Sequence, residues 1–216
     1  MIFAHARSGS STLVKIIAAN GLTVEFEPFN LGHHPYINWI PKKGFDETVD
    51  IILSKKDGIK HLFNQIKKTN NEKLIKRLPT IFLYRKNILD AAISLAISHK
   101  TNIWQSKQVK FKENYMKPIK LSQKQVMKYI RIIQKSINYY REIIENNKNY
   151  ITVTYEDLYS ENGLQKVKEI LGFLNVPLIN EEKTLELLSP KYKLNKKPWH
   201  ETIKNYKEIK KMFIKL

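Results

Sequence analysis

The sequence predicts a three-layer α/β fold, a mostly parallel central sheet flanked by helices. Two observations predict it: short apolar runs bounded by turn residues recur along the chain, and each is followed by a helical pattern or a loop. Strands that alternate with helices are joined by crossovers rather than hairpins, so they lie parallel. Length and composition fit one domain over residues 1–216, since a chain of this size buries roughly 70% of its unfolded surface. No internal repeat or linker divides it.

Taken in order, the first strand is Ile2–His5, and the helix behind it runs from about Ser11 to Asn20. Gly21 stops that helix, because glycine adopts the left-handed backbone that ends helices. Thr23–Phe26 is the second strand. Pro28 to Gly44 contains three prolines, two histidines and Trp39 with little periodicity, which reads as an ordered surface loop of the kind that lines sites. A helix at Glu47–Leu53, a strand at Gly58–His61 and a helix at Leu62–Lys68 follow. Thr80–Tyr84 is the strongest later strand, with a helix at Ile88–His99 after it. The longest helix begins at Ser122 and places Val126, Ile130, Ile133, Ile137, Tyr140 and Ile144 on one stripe, so one face packs and the other is solvated. Strand Tyr150–Thr154 and helix Leu164–Leu174 complete the pattern.

Lys and Arg number 38 against 20 Asp and Glu, a formal charge of +18, yet only five of the basic residues are arginine: Arg7, Arg77, Arg85, Arg131 and Arg141. Lysines spread among many Asn and Ile are what an A/T-biased coding sequence produces, which makes a solvated lysine surface the plain reading. An anionic partner is the sharper one, because a field of this sign concentrates phosphate- or sulfate-bearing ligands. The chain has no cysteine, which excludes a disulfide scaffold, a thiol nucleophile and thiolate-bound metal clusters. No apolar run approaches the roughly 18 residues of a membrane span, and MIFAHARSGSS is too short and polar for a signal peptide. The expectation is a soluble, cytoplasmic protein with no transmembrane segment.

ARSGSST, residues 6 to 12, lies between the first strand and its helix, where backbone N–H groups converge on one point. Gly9 allows the tight turn, Ser10, Ser11 and Thr12 supply hydroxyls and cap the helix, and the helix end adds partial positive charge. Arg7 is suited to bidentate bonds with a phosphate or sulfate. A plain helix cap has the same residues. The segment lacks the second glycine and the lysine of a Walker A loop, which disfavours triphosphate hydrolysis. TIFLYRKNILDAAISLAISHKT, residues 80 to 101, puts Arg85 at a strand's carboxyl end and Ser94 nine residues later on the next helix. Ligands of open α/β sheets bind at that edge. If the first and fourth strands are neighbours, the cradle and the Arg85/Ser94 pair grip two separate phosphates of one ligand.

On these motifs the sequence resembles the sulfotransferases that use 3′-phosphoadenosine 5′-phosphosulfate (PAPS). ARSGSST is similar to their 5′-phosphosulfate loop, carried here by Arg7, Ser8, Gly9, Ser10, Ser11 and Thr12. Arg85 and Ser94 match their 3′-phosphate motif. EPFN at 27–30, GIKHLF at 58–63, VTYEDL at 153–158, GFLNV at 172–176 and the final NYKEI extend the resemblance over most of the chain. EPF-type segments bring it closer to bacterial and carbohydrate sulfotransferases than to cytosolic phenol or steroid enzymes. Ala6 stands where many members have proline, and Arg7 where cytosolic members have lysine. The arginine-to-serine spacing is nine rather than the eight common in the family, which leaves Lys86 as a competing phosphate ligand beside Arg85.

The resemblance implies a P-loop NTPase-like nucleotide-binding core with PAPS as co-substrate and no metal. It also implies adenosine 3′,5′-bisphosphate as product and transfer to a hydroxyl or amine, by default that of a saccharide. Arg7 and the loop N–H groups would stabilise charge on the donor, with Lys60 assisting. Glu27, after the second strand, is the first candidate for the general base, as in the resembling EPF-type enzymes. His61 is the second, at a position like that of the cytosolic enzymes' histidine; pairing of Glu27 with a lysine and simple packing of His61 are the structural alternatives. His33 and His34 lack metal-ligand spacing and read as surface residues or acceptor contacts. Trp104 reads as a wall of the site or as a core residue, and NKKPW at 195–199 as a nucleotide contact through Lys196 or Lys197. Two rivals remain at this level: a non-enzymatic polyanion or nucleic-acid binder using the lysine surface, and a nucleotide kinase with a degenerate loop.

Overall fold

The computed structural model describes residues 1–31, 35–104, 118–190 and 197–214. The chain divides into two compact units, one of Met1–Lys86 with Ile137–Leu188, the other of Asn87–Ser136 with Ser189–Leu216.

The first unit holds a five-stranded, all-parallel sheet: β1 (Ile2–Ala4), β2 (Val24–Phe26), β3 (Gly58–Leu62), β4 (Thr80–Tyr84) and β5 (Tyr150–Thr154), in the order β2-β3-β1-β4-β5. All five strands form where the sequence predicts them, within about one residue, because each short β-rich run is closed by turn residues. β1 is central and fully buried, paired on one side with β3 (Phe3 level with His61) and on the other with β4 (Phe3 level with Phe82). The first and fourth strands are therefore neighbours.

In this unit the helices are α1 (Ser10–Ala19), α2 (Ile40–Lys43), α3 (Phe45–Leu53) and α4 (Lys68–Arg77). After Lys86 the chain forms α5 (Ile88–Thr101) and α6 (Gln123–Glu145), both taken up below, then returns with α7 (Tyr155–Leu158), α8 (Gly163–Phe173) and α9 (Glu181–Leu188). The loop expected over Pro28–Gly44 contains a 3₁₀ turn at Pro35–Asn38 as well as α2, and Phe29 within it is fully buried. The helix expected at Leu62–Lys68 is a correction. Leu62 completes β3, Phe63 packs at 4.5 Å between ring centroids from Phe3, and the helix starts only at Lys68. Those two apolar residues are taken by the sheet and the core, and the helical stripe is Asn71, Leu74 and Ile75 further on. Asn20 joins the ends of two distant helices: its Oδ1 accepts from the N–H of Ile179 (2.8 Å) and Asn180 (3.0 Å), and its Nδ2 donates to Ile16 O and Thr184 Oγ1.

The second unit contains α5, the first half of α6, α10 (Trp199–Thr202) and α11 (Tyr206–Ile214). Asn205 ties it together by donating to Leu121 O at 2.9 Å and accepting from Leu121 N–H at 3.0 Å. Trp199 donates to Asp90 Oδ1 at 2.7 Å. The whole predicted stripe of α6 is buried, three residues of it in each unit. Among the described residues no helix is long and apolar enough to cross a membrane.

Candidate functional site

Four strands of the first unit feed one edge of the sheet: β1 runs into the 5–9 turn, β2 into Glu27, β3 carries Lys60, and β4 leads to Arg85. Arg7 and Gly9 both have left-handed backbone, φ 70° and φ 87°. α1 opens one residue earlier than predicted, so Gly9 is its N-cap and no side chain caps it. Ser10, Ser11 and Thr12 therefore lie inside the first turn instead of capping it, and the Thr12 N–H donates to Gly9 O at 3.0 Å. Ser8 is fully buried, and its hydroxyl has no hydrogen-bond partner among the described residues. A donor is thus left unspent at the floor of the loop.

Tyr155 forms a wall shared by the loop and Arg85. A Cβ on Gly9 would sit 3.0 Å from Tyr155 Cδ2, so a side chain there would have to displace the ring, and the positive φ favours glycine as well. The Arg85 guanidinium lies 4.3 Å over the same ring, and its Nε is 3.8 Å from Glu156 Oε1. Tyr159 packs at a tilt against Tyr155, 4.5 Å between ring centroids, and shares a hydrogen bond with Thr12. Lys86 instead points to Asp157 at 3.2 Å, and its N–H donates to Glu156 Oε2 at 2.9 Å. Of the two cations weighed for the 3′-phosphate, Arg85 is the one placed against the cradle's wall.

His5 fastens these parts from below. Its Nε2 accepts from the Arg85 N–H at 3.0 Å, which puts the proton on Nδ1, 2.7 Å from Ala6 O. Burial pushes its pKa down to about 4.

The second cluster is built on Glu27 (φ 53°), whose N–H donates to Lys60 O at 2.8 Å. Its carboxylate pairs with the Lys60 ammonium and accepts from Asn30 Nδ2 and Gln65 Nε2, each at 2.7 Å. Burial raises the Glu27 pKa, but the Lys60 charge and the bonds from Lys60, Asn30 and Gln65 outweigh it and leave it below the ordinary carboxylate value. Lys60, 2% exposed, is pulled below the ordinary lysine value by burial, against the opposing effect of Glu27, and the charge of Arg7 lowers it further. Arg7 thus links the cradle electrostatically to the ion pair. β3 extends to Leu62, so Lys60 is mid-strand rather than at the strand end the sequence suggests.

His61 follows Lys60 along β3 and lies in the core. It is fully buried, 5.5 Å from the Phe29 ring, with Nε2 2.7 Å from Asn71 Oδ1. Burial holds its pKa down at about 4. Because His5 and His61 both stay neutral in the folded chain while an unfolded histidine takes a proton near pH 6.5, folding binds fewer protons between those values. The contribution of the two histidines is full above about pH 6.5 and is lost as pH falls toward 4, by up to about 1.4 kcal/mol per pH unit for each histidine. Denaturant unfolding from pH 7.5 to 4.5 checks this. His61→Gln should lessen the slope, and a flat profile would contradict it.

Ser94 is half-buried on α5 in the second unit. Trp104, also in that unit, is 37% exposed with its ring edge-on to His99 at 5.0 Å. Lys197 is exposed, while His33, His34 and Lys196 lie outside the described residues. Sequence reasoning missed His5, Asn30, Gln65, Tyr155 and Glu156. Asn30 lies in EPFN and the last two in VTYEDL, segments already singled out, but His5 and Gln65 are polar residues with no periodic signature. Among the described residues no group of three or more His, Asp or Glu is arranged to hold a metal.

No family model and no curated protein matches the sequence. Among solved structures, mouse sulfotransferase SULT7A1 complexed with PAP is similar, with TM-score 0.52 and 13% identity over 88% of this chain. The match spans 63% of that protein's own length. At this identity what is shared is the fold, which in this chain is a parallel five-stranded sheet flanked by helices.

Proposed function

We propose that the chain is a sulfotransferase that moves the sulfuryl group of PAPS onto a hydroxyl or amine acceptor, with a saccharide hydroxyl as the acceptor class and the bacterial and carbohydrate enzymes as its nearest subtype. One observation carries the reading. The Gly9 loop and the Arg85 guanidinium abut one tyrosine, Tyr155, so two anion-binding elements lie close enough for a single ligand with two separate phosphates. Adenosine 3′,5′-bisphosphate, the product of PAPS, is such a ligand. The fold shared with a PAP-bound sulfotransferase supports the same reading.

In this reading Arg7, Ser8, Gly9, Ser10, Ser11 and Thr12 hold the 5′-phosphosulfate through the loop N–H groups, the hydroxyls and the guanidinium. Arg85 holds the 3′-phosphate, and the part of Ser94 rests on the sequence motif. The acceptor oxygen forms a bond to sulfur as the bond from sulfur to the bridging oxygen breaks in line. The electron pair stays on the leaving 5′-phosphate, and the acceptor proton passes to Glu27. Lys60 and Arg7 offset the charge that develops on the bridging oxygen. As Lys60 turns toward that oxygen, the burial of Glu27 is opposed only by the bonds from Asn30 and Gln65, and its basicity rises. The inward placement of His61 supports giving it a packing role and leaving the base to Glu27.

Thermal unfolding tests the reading. Adenosine 3′,5′-bisphosphate at a hundredfold its Kd should stabilise the fold by about 2.7 kcal/mol. ATP with Mg²⁺ should do much less, and Arg85→Ala should remove the difference. A binder of polyanions would instead be indifferent to the bisphosphate and lose affinity steeply with salt. Equal stabilisation by ATP together with a silent Arg85→Ala would defeat the proposal.

A further inference from the structure

The Arg85 guanidinium already faces an anion of the protein's own, and the carboxylate is held there from several sides. Glu156 Oε1 is 3.8 Å from Arg85 Nε, while Oε2 accepts from the Lys86 N–H at 2.9 Å. The helix that carries Glu156 is anchored by a capping box, in which Thr154 Oγ1 accepts from Asp157 N–H (3.1 Å) and Asp157 Oδ2 accepts from Thr154 N–H (3.0 Å). The guanidinium is fixed as well, stacked on Tyr155 with its backbone N–H bonded to His5. Neither partner withdraws without breaking other bonds.

We infer that Glu156 is a resident counter-ion of Arg85 that competes with the nucleotide's 3′-phosphate and sets how fast the spent nucleotide leaves. The inference rests on the reading that Arg85 receives that phosphate. A phosphate brought to this guanidinium lies within the screening length of about 8 Å from the fixed carboxylate, so the two anions repel. The bisphosphate left after transfer keeps its 3′-phosphate, and affinity lost at Arg85 appears as faster release. Glu156 is thus an affinity-setting residue with no part in the chemical step. A carboxylate that served only to aim Arg85 would act with the opposite sign, since its removal would weaken binding.

Glu156→Gln separates the two, because the amide oxygen still accepts from Lys86 N–H while the charge is gone. Binding and dissociation are measured for adenosine 3′,5′-bisphosphate and for adenosine 5′-monophosphate, which lacks the competing phosphate. The variant should bind the bisphosphate about tenfold tighter and release it correspondingly more slowly. It should leave the monophosphate affinity unchanged, and the gain should vanish in an Arg85→Ala background. Unchanged or weaker bisphosphate binding overturns the inference, as does an equal gain for the monophosphate. If the unmodified protein binds no bisphosphate at all, the nucleotide reading itself has failed and this inference falls with it. If it binds and the variant gains nothing, only the role of Glu156 is lost.

Discussion

Glu27→Gln is expected to lower the rate of sulfuryl transfer by about a thousandfold, the scale of a lost general base, while adenosine 3′,5′-bisphosphate still binds. The carboxylate sits 13% exposed at the sheet edge with three donors on it, and of these only Lys60 carries a charge. Glutamine removes the proton acceptor and keeps an oxygen for Asn30 or Gln65. It also leaves the Lys60 ammonium buried without its counter-charge, an effect of about 3–5 kcal/mol on stability. The two consequences separate in a double variant. Glu27→Gln with Lys60→Met should recover most of the thermal midpoint, since an apolar side chain of similar length fills the Lys60 channel, and should recover none of the transfer. Single-turnover transfer of radiolabelled sulfuryl groups, with bisphosphate titrations alongside, reads both. Loss of nucleotide binding in the single variant would assign Glu27 a structural role.

Asn71→Ala should destabilise the first unit by about 3–5 kcal/mol, among the larger effects of any single substitution. Asn71 is fully buried on α4, where its Oδ1 meets His61 Nε2 at 2.7 Å and its Nδ2 donates to Phe63 O (2.8 Å) and Tyr140 Oη (2.7 Å). Alanine strands three polar partners in a core of aromatic rings and opens a small void. His61 Nδ1 already lacks a partner among the described residues, so the ring would be left with neither nitrogen satisfied. Denaturant unfolding at pH 7.5 measures the loss, and a decrease under about 1 kcal/mol would mean that water replaces the amide.

The strands and the cradle were legible because their signals are local. TIFLY and YITVT are β-rich runs with turn residues on both sides, and ARSGSST stands where a strand must turn into a helix. The adjacency of the first and fourth strands was posed as a condition, since which strands pair depends on crossovers that no short window records. α4 was misplaced because KTNNEKLIKR has only a narrow apolar stripe, and it is helical through Leu74 and Ile75 packing inward rather than through propensity. The Glu27 contacts were half legible. EPFN and GIKHLF were marked as segments, yet the link from Gln65 to Glu27 spans 38 positions and has no pattern in sequence. His5 was read as the last strand residue, and its bond to Arg85 across 80 positions appears only once β1 and β4 lie side by side.

A sheet in which all four neighbouring pairs are parallel contains no hairpin to start from. β1 acquires β3 only across some sixty further residues and β4 across some eighty, while β5 meets β4 across a separation of seventy positions, Thr80 level with Tyr150. During synthesis β1, the most apolar strand, therefore precedes both of its partners and waits for them. Assembly of such a chain is slow and dominated by long loop closures, and a nascent chain halted before residue 80 exposes an unpaired, sticky ribbon to which chaperones would bind.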